Sequence, residues 1–333
     1  MGGWLMADVV DKVDPVVSVR DLRTYFVHKE EEVRAVDGID LDVYRGQIVC
    51  IVGESGSGKS MTALSLMRLV PKPRGKIVSG KIMFHGVDIL QLSEPEMTKL
   101  RGNEISMIFQ EPMTALNPVL TIGDQIAEVL VHHRRVGKRE TTAKAVEMLQ
   151  FVGVPRAEQV LREYPHQLSG GMRQRVMIAM AMICEPKVLI ADEPTTALDV
   201  TIQTQVLHLM RKMRDDFGTS IILITHDLGV VADMADQVIV MYAGQVVESA
   251  NADALFEEPL HPYTIALLKS VPTIDQETEV LYYIPGSVPD ATEFPTGCRF
   301  ADRCPLAMAS CFEIAPEVRE VRPGHLVRCH LVD

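Results

Sequence analysis

The sequence predicts an α/β fold whose parallel sheet is organised around a phosphate-binding loop, and three observations predict it. The first is Gly53-Glu54-Ser55-Gly56-Ser57-Gly58-Lys59-Ser60, a Gly-x-x-x-x-Gly-Lys-Ser spacing between an unalternating apolar run (47–52) and a stretch of helix formers (61–68). The second is a pair of further apolar runs, 187–191 and 220–225, which end in Asp192-Glu193 and His226-Asp227. Runs apolar on both faces belong to parallel strands covered on both sides. In such sheets ligands bind beyond the carboxyl ends of the strands, so loop, carboxylates and imidazole are expected to meet on one edge. The third is a change to a helical period between residues 123 and 164.

The loop carries its own chemistry. It stands at a helix N-terminus, whose free amides and dipole favour phosphate oxygens. Gly56 and Gly58 let the backbone approach closely, Lys59 supplies a cation to the β- and γ-phosphates, and the Ser60 hydroxyl suits the Mg²⁺ that bridges them. At the other strand ends, Asp192 would hold Mg²⁺ through water, Glu193 could polarise an attacking water, and His226 could donate to the γ-phosphate as charge develops. The substrate this predicts is ATP or another nucleoside triphosphate.

Composition narrows the classes. At 333 residues and 47% hydrophobic content the chain has ample material for a core. A formal charge of −12, with no basic run longer than His132-His133-Arg134-Arg135, speaks against nucleic acid as a partner. The longest wholly apolar run, 176–184, falls well short of the roughly 20 residues a membrane helix needs, and the N-terminus carries Asp8 and Asp11 without a basic start. Neither secretion nor membrane insertion is expected, and the six cysteines are expected as buried thiols or metal ligands rather than disulfides. Cys50 and Cys184, isolated among apolar residues, are expected in the core.

Taken in order, residues 1–14 are expected to be a frayed tail, with the only tryptophan at position 4. Residues 16–22 alternate as a strand, Tyr25-Phe26 precede a charged turn at 28–32, and 36–43 alternate again, which predicts an antiparallel sheet beside the loop. An aromatic about 30 residues before the loop can stack on adenine or be buried in its strand, and both stay open. A strand pair is expected over 77–90 around His85-Gly86, and an apolar strand over 105–109 ending in Gln110-Glu111-Pro112. In the helical insertion Ile126, Val129, Leu130 and His133 share one face, as do Ala145, Met148, Leu149 and Val152, with breaks at Gly137 and Gly153. Leu168-Ser169-Gly170-Gly171 then opens a helix that runs to Cys184, a second anion site built from a short hydroxyl and exposed amides. Beyond Gly244 the character changes. A short apolar helix follows Pro259, a Pro- and Gly-rich segment runs from 271 to 297, and Cys298, Cys304, Cys311 and Cys329 close the chain. Their spacers are too long for the usual paired zinc pattern, so an iron–sulfur cluster held by four thiolates is the better fit.

The combination resembles the ATP-binding subunits of ABC transporters. Residues 53–60, Gln110, Leu168-Ser169-Gly170-Gly171-Met172, Asp192-Glu193, Ala197-Leu198-Asp199 and His226 match that family's loops in order, over about residues 15–250. The resemblance implies a RecA-like ABC ATPase core, an antiparallel β subdomain, and a helical subdomain at about 113–175. Residues 251–333 resemble the C-terminal extension of dipeptide and oligopeptide importer ATPases, through His261-Pro262-Tyr263-Thr264, Ile284-Pro285-Gly286 and the cysteine series. In that subfamily the cysteines bind a 4Fe-4S cluster. The stretch from Gln110 to Pro118 looks like the same subfamily.

What the resemblance implies is a head-to-tail pair of ATPase subunits closing on two ATP molecules. Each would be held by one subunit's Gly53 loop and its partner's Ser169-Gly170-Gly171 edge, the partner often being a related but different chain. Closure would pass through Gln110, which also touches Mg²⁺, and through the helical insertion to two transmembrane permease subunits. A solute-binding protein would deliver di- or oligopeptides from outside, and the chain would sit peripherally on the cytoplasmic face of the inner membrane. By similarity Phe26 is the adenine-stacking position, with Tyr25 its neighbour, and Asp199 belongs to the nucleotide-contacting set. The cysteine cluster is expected to be structural and apart from ATP handling. The alternatives are an importer of a nickel complex or glutathione, and a soluble ABC ATPase; a single cassette without heptads or a basic surface argues against the latter.

Overall fold

The computed structural model describes residues 14–28, 31–110, 115–196, 199–271 and 282–332. The expected tail up to residue 13, Glu111-Pro112-Met113-Thr114, Ala197-Leu198 and much of the Pro- and Gly-rich segment lie outside the described residues.

Period-2 sequence on the N-terminal side makes a four-stranded antiparallel sheet, order β2-β1-β4-β5, from β1 (Val17–His28), β2 (Glu31–Val43), β4 (Gly75–Phe84) and β5 (Val87–Asp88). The unalternating runs make the second sheet. Its order is β11 (Arg319–Arg322), β12 (His325–Val327), β10 (Gln245–Asn251), β9, β3, β8, β7, β6, with β3 (Ile48–Val52) lying parallel between β8 (Ser220–Ile224) and β9 (Gln237–Tyr242), and β7 (Val188–Asp192) parallel to β6 (Ile105–Ile108) and β8. Every residue of β3, β7 and β8 is buried, as strands covered on both faces must be. The two faces feed two cores. Val49, Ile51, Val188, Ile190 and Ile222 pack with the helix Lys59–Leu66 and the antiparallel sheet. Ile48, Cys50, Val52, Leu189, Ile221 and Leu223 pack with the helices of the insertion and with Cys184.

The insertion contains the helices Ile122–Arg134, Lys138–Phe151 and Ala157–Val160, followed by Gly170–Met182. Ile126, Leu130, Ala145 and Leu149 are buried, and Gly137 caps the second helix. Buried Gln125 was not signalled by the period; its amide ties the helix to the backbone of Asn117 and Leu120.

Among the described residues, those beyond 251 do not form a layer of their own. β12 (His325–Val327) pairs antiparallel with β10 (Gln245–Asn251), and β11 (Arg319–Arg322) pairs with β12, so the C-terminal segment extends the central sheet. Tyr242, Tyr263 and Phe300 join in one buried aromatic cluster with ring centroids 4.7 to 5.4 Å apart. Glu248, wholly buried, accepts from the Leu260 and His261 backbone and meets His325 Nε2 at 2.7 Å.

Candidate active site

The loop between β3 and the Lys59–Leu66 helix needs its glycines. Gly53 has φ +147°, and a Cβ there would stand 2.2 Å from the Met241 carbonyl; Gly58 has φ +100°, and its Cβ would stand 2.4 Å from the Ala35 carbonyl. Lys59 is buried, and its Nζ donates to the carbonyls of Gly53 (2.7 Å) and Glu54 (2.9 Å). Burial pulls its pKa down, while Glu193, Asp192 and Glu54 pull the other way. Ser55 and Gly56 are exposed at the loop's crest, and Ser57 is buried beneath it.

The strand ends meet this loop. Ser60 Oγ donates to Asp192 Oδ1 at 3.0 Å, across 132 residues of chain. Burial raises the Asp192 pKa, as expected for a carboxylate with no cation beside it except Lys59. Glu193 has φ +45°, a left-handed conformation that turns its carboxylate out of the strand direction. That carboxylate accepts from Gln110 Nε2 (3.0 Å) and Thr196 Oγ1 (2.9 Å) and lies 3.4 Å from His226 Nδ1. Gln110 and His226 are exposed, so the group opens to solvent. Oxygen donors from Ser60 and Asp192, with Gln110 bonded to the adjacent Glu193, suit a hard cation such as Mg²⁺.

Other expected residues lie apart from this group. Ser169 caps its helix, accepting from Met172 N at 3.4 Å, and Ser169 and Gly170 are exposed; Gly171 packs near Ile202. Asp199 is an exposed N-cap for the helix Val200–Phe217, accepting from Ile202 N. Gln174 bridges the two regions by donating to the Pro194 carbonyl, one residue beyond Glu193. Tyr25 is buried and its hydroxyl donates to Asp37 Oδ1 at 2.5 Å, whereas Phe26 stays half-buried at Gly75.

Residues 36–196 match the ABC transporter family, and residues 247–311 match the oligopeptide/dipeptide transporter C-terminal region. Over 96% of this chain and 97% of the relative, 58% of residues are identical to the oligopeptide transport ATP-binding protein AppD of Bacillus subtilis. The chain belongs to the ATP-binding subunits of oligopeptide and dipeptide ABC transporters. The B. subtilis dipeptide transport ATP-binding protein DppD is 49% identical over 96% of both chains. Among solved structures, the dimeric post-hydrolysis ATP-binding cassette MJ0796 bound to ADP and Pi aligns with TM-score 0.64 and 28% identity, covering 71% of this chain and 98% of that one. The structure of cbiO1 from Clostridium perfringens, part of the transporter complex cbiONQ, aligns with TM-score 0.63 and 29% identity over 74% of this chain and 92% of that one. This subunit is accordingly an ATP hydrolase of α/β ABC-cassette fold that energises peptide transport with membrane permease partners and a second ATPase subunit. Among its described residues no helix is long and apolar enough to cross a membrane.

Two features of the extension bear on these expectations. Cys298, Cys304, Cys311 and Cys329 are gathered within electrostatic reach of one another, and Cys298 N donates to the Cys311 carbonyl at 2.7 Å. Yet among the described residues no group of three or more His, Cys, Asp or Glu side chains stands ready to hold a metal ion, so no pre-formed ligand set accompanies the expected iron–sulfur cluster. Burial first, then its thiol neighbours, push the Cys298 pKa up to about 11. Second, the extension touches the Gly53 loop. Arg303 makes a bidentate pair with Glu54 of the loop (2.7 and 3.0 Å), Tyr263 Oη accepts from Glu54 N at 2.8 Å, and Arg299 pairs with Asp37. Glu54 thus faces the extension with both its carboxylate and its N–H. Sequence reasoning missed Arg303, Arg299, Asp37 and the contact of Tyr263 with the loop, because more than 200 residues separate the partners and no periodicity joins them.

Proposed function

We propose that this subunit drives import of di- and oligopeptides by closing head to tail on ATP with a second, related ATPase chain. The observation that carries the catalytic part is the Glu193 carboxylate, bonded to Gln110 and Thr196 and facing His226, one residue beyond an Asp192 that holds Ser60. In this reading Gly53, Ser55, Gly56, Ser57, Gly58 and Lys59 cradle the phosphates, while Glu54, expected in the same set, is engaged by Arg303 and Tyr263 of the extension. Mg²⁺ held by Ser60, Gln110 and Asp192 would neutralise charge on the β- and γ-oxygens. Glu193 accepts a hydrogen bond from the attacking water and orients it, and His226 donates to the γ-phosphate. The Ser169-Gly170-Gly171 edge, with Asp199 beside it in role, closes on the partner's nucleotide; the exposure of Ser169, Gly170 and Asp199 in a single chain supports that assignment. Phe26 stacks on adenine, because Tyr25 is buried and committed to Asp37.

The subunit then works at the cytoplasmic face of the inner membrane, docked on two permease subunits, with an extracytoplasmic solute-binding protein supplying peptide. A four-thiolate 4Fe-4S cluster in the extension is supported by the gathering of four cysteines that lie up to 31 positions apart. Reconstituting the subunit with its permease and binding protein in vesicles tests the function. ATP-dependent accumulation of labelled peptide is expected; uptake of a nickel complex or glutathione, but no peptide, would overturn it.

A further inference from the structure

The link between Cys298 and Cys304 carries two arginines, and each reaches the nucleotide side of the molecule. Arg303 is 4% exposed, and its guanidinium is fully engaged: two bonds to Glu54, one to Tyr242 Oη at 3.2 Å, and others to the carbonyls of Pro285 (2.8 Å) and Ile284 (3.3 Å). Such a fork cannot shift without breaking several bonds at once. Its target is the second residue of the phosphate loop, whose N–H is held by Tyr263 of the same extension. Arg299 lies over the Phe294 ring, donates to the Ala243 carbonyl and pairs with Asp37. Asp37 N in turn donates to the Gly244 carbonyl, and Gly244 N to that of Ser57, so a chain of bonds runs from Arg299 to the underside of the loop.

Resting on the assignment of the Gly53 loop as the nucleotide site, we propose that Arg303 is a positioning residue: it sets ATP affinity from the C-terminal extension by fixing and neutralising Glu54. Without Arg303, a carboxylate would remain unpaired in a loop that must receive a highly anionic triphosphate. Like charges repel in the bound state, and the loop would lose its rear anchor. Both effects act on nucleotide binding, and neither acts on the Glu193 centre.

The test is titration of the full chain with a fluorescent ATP analogue, combined with ATPase kinetics. Arg303→Ala is expected to weaken binding about tenfold and to raise KM correspondingly, with kcat reduced less than about twofold, a split that general loss of structure would not give. Arg303→Lys, which keeps the charge and loses the fork, should fall between. Glu54→Gln in the Arg303→Ala background should recover affinity to within about threefold of the wild type. Wild-type affinity in folded Arg303→Ala, or a double variant no better than the single one, overturns the proposal. If Arg303→Ala does not fold, Arg303→Lys with and without Glu54→Gln makes the same comparison. Lys59→Ala separates the two levels: if it too binds as the wild type does, the nucleotide-site assignment itself has failed.

Discussion

Glu193 shows how a single residue's backbone prepares chemistry. Its left-handed conformation takes the carboxylate off the axis of β7, so that Asp192 stays with Ser60 while Glu193 meets Gln110, Thr196 and His226. Two adjacent carboxylates thereby acquire different environments. Glu193→Gln keeps the shape and the acceptance of a bond from Gln110 but loses the charge that orients water. We expect it to retain ATP binding, to hydrolyse roughly 10² to 10⁴ times more slowly, and to accumulate as a closed ATP-bound dimer on size-exclusion chromatography. Turnover near the wild-type rate in the assembled transporter would remove Glu193 from its role.

At the scale of elements, the helix Pro262–Lys269 connects the extension to the loop, and its N-cap is His261. His261 is buried, its Nδ1 accepts from Tyr263 N at 3.0 Å, and burial lowers its pKa to about 3. The folded state therefore holds it neutral, whereas the unfolded chain protonates it near 6.5. Below that value the unfolded state binds the extra proton, so stability is present above about pH 6.5 and declines as pH falls toward 3. His261→Asn keeps a capping acceptor without the charge, and its melting temperature should fall less steeply between pH 6.5 and 4.5 than that of the wild type; equal slopes would dismiss His261 as the titrating group. The cysteine segment makes its own prediction. Protein purified without oxygen should carry about four iron and four sulfide per chain, by the four-thiolate rule for cubane clusters. Cys311→Ser should lose the iron and render residues after about 285 more open to protease. Stoichiometric zinc without iron, or a full cluster in Cys311→Ser, would show the metal or the ligand set to be different.

For the whole molecule, the decisive arrangement is that one sheet edge gathers the loop, Gln110, Asp192, Glu193 and His226, while the exposed Ser169 edge lies on the helical insertion. In the proposed reading a second subunit completes the closed site, and Gln110, bonded to Glu193, is the residue that would couple it to the permease. Gln110→Ala should accordingly reduce peptide-stimulated ATPase in vesicles much more than ATP affinity, and equal stimulation in variant and wild type would count against a coupling role. The C-terminal strands on the same central sheet give the extension a rigid base from which to reach the loop.

The phosphate loop, the buried parallel strands, the carboxylates at their ends and the helical insertion were legible in the sequence. Each is a local pattern: glycines where φ must be positive, apolar runs without alternation where both faces are covered, and a period near 3.6 for one-sided helices. The meeting of Ser60 with Asp192 followed from the strand rule alone, since parallel strands bring their carboxyl ends together whatever the separation in sequence. Only the tertiary structure decided the rest. Which of Tyr25 and Phe26 is tied down depended on where Asp37 lies, and the joining of the extension to the loop through Arg303 and Glu54 depended on β12 docking against β10. Side-chain pairing across 249 residues leaves no periodic trace, because it is set by the packing of sheets and not by the order of residues along any one of them.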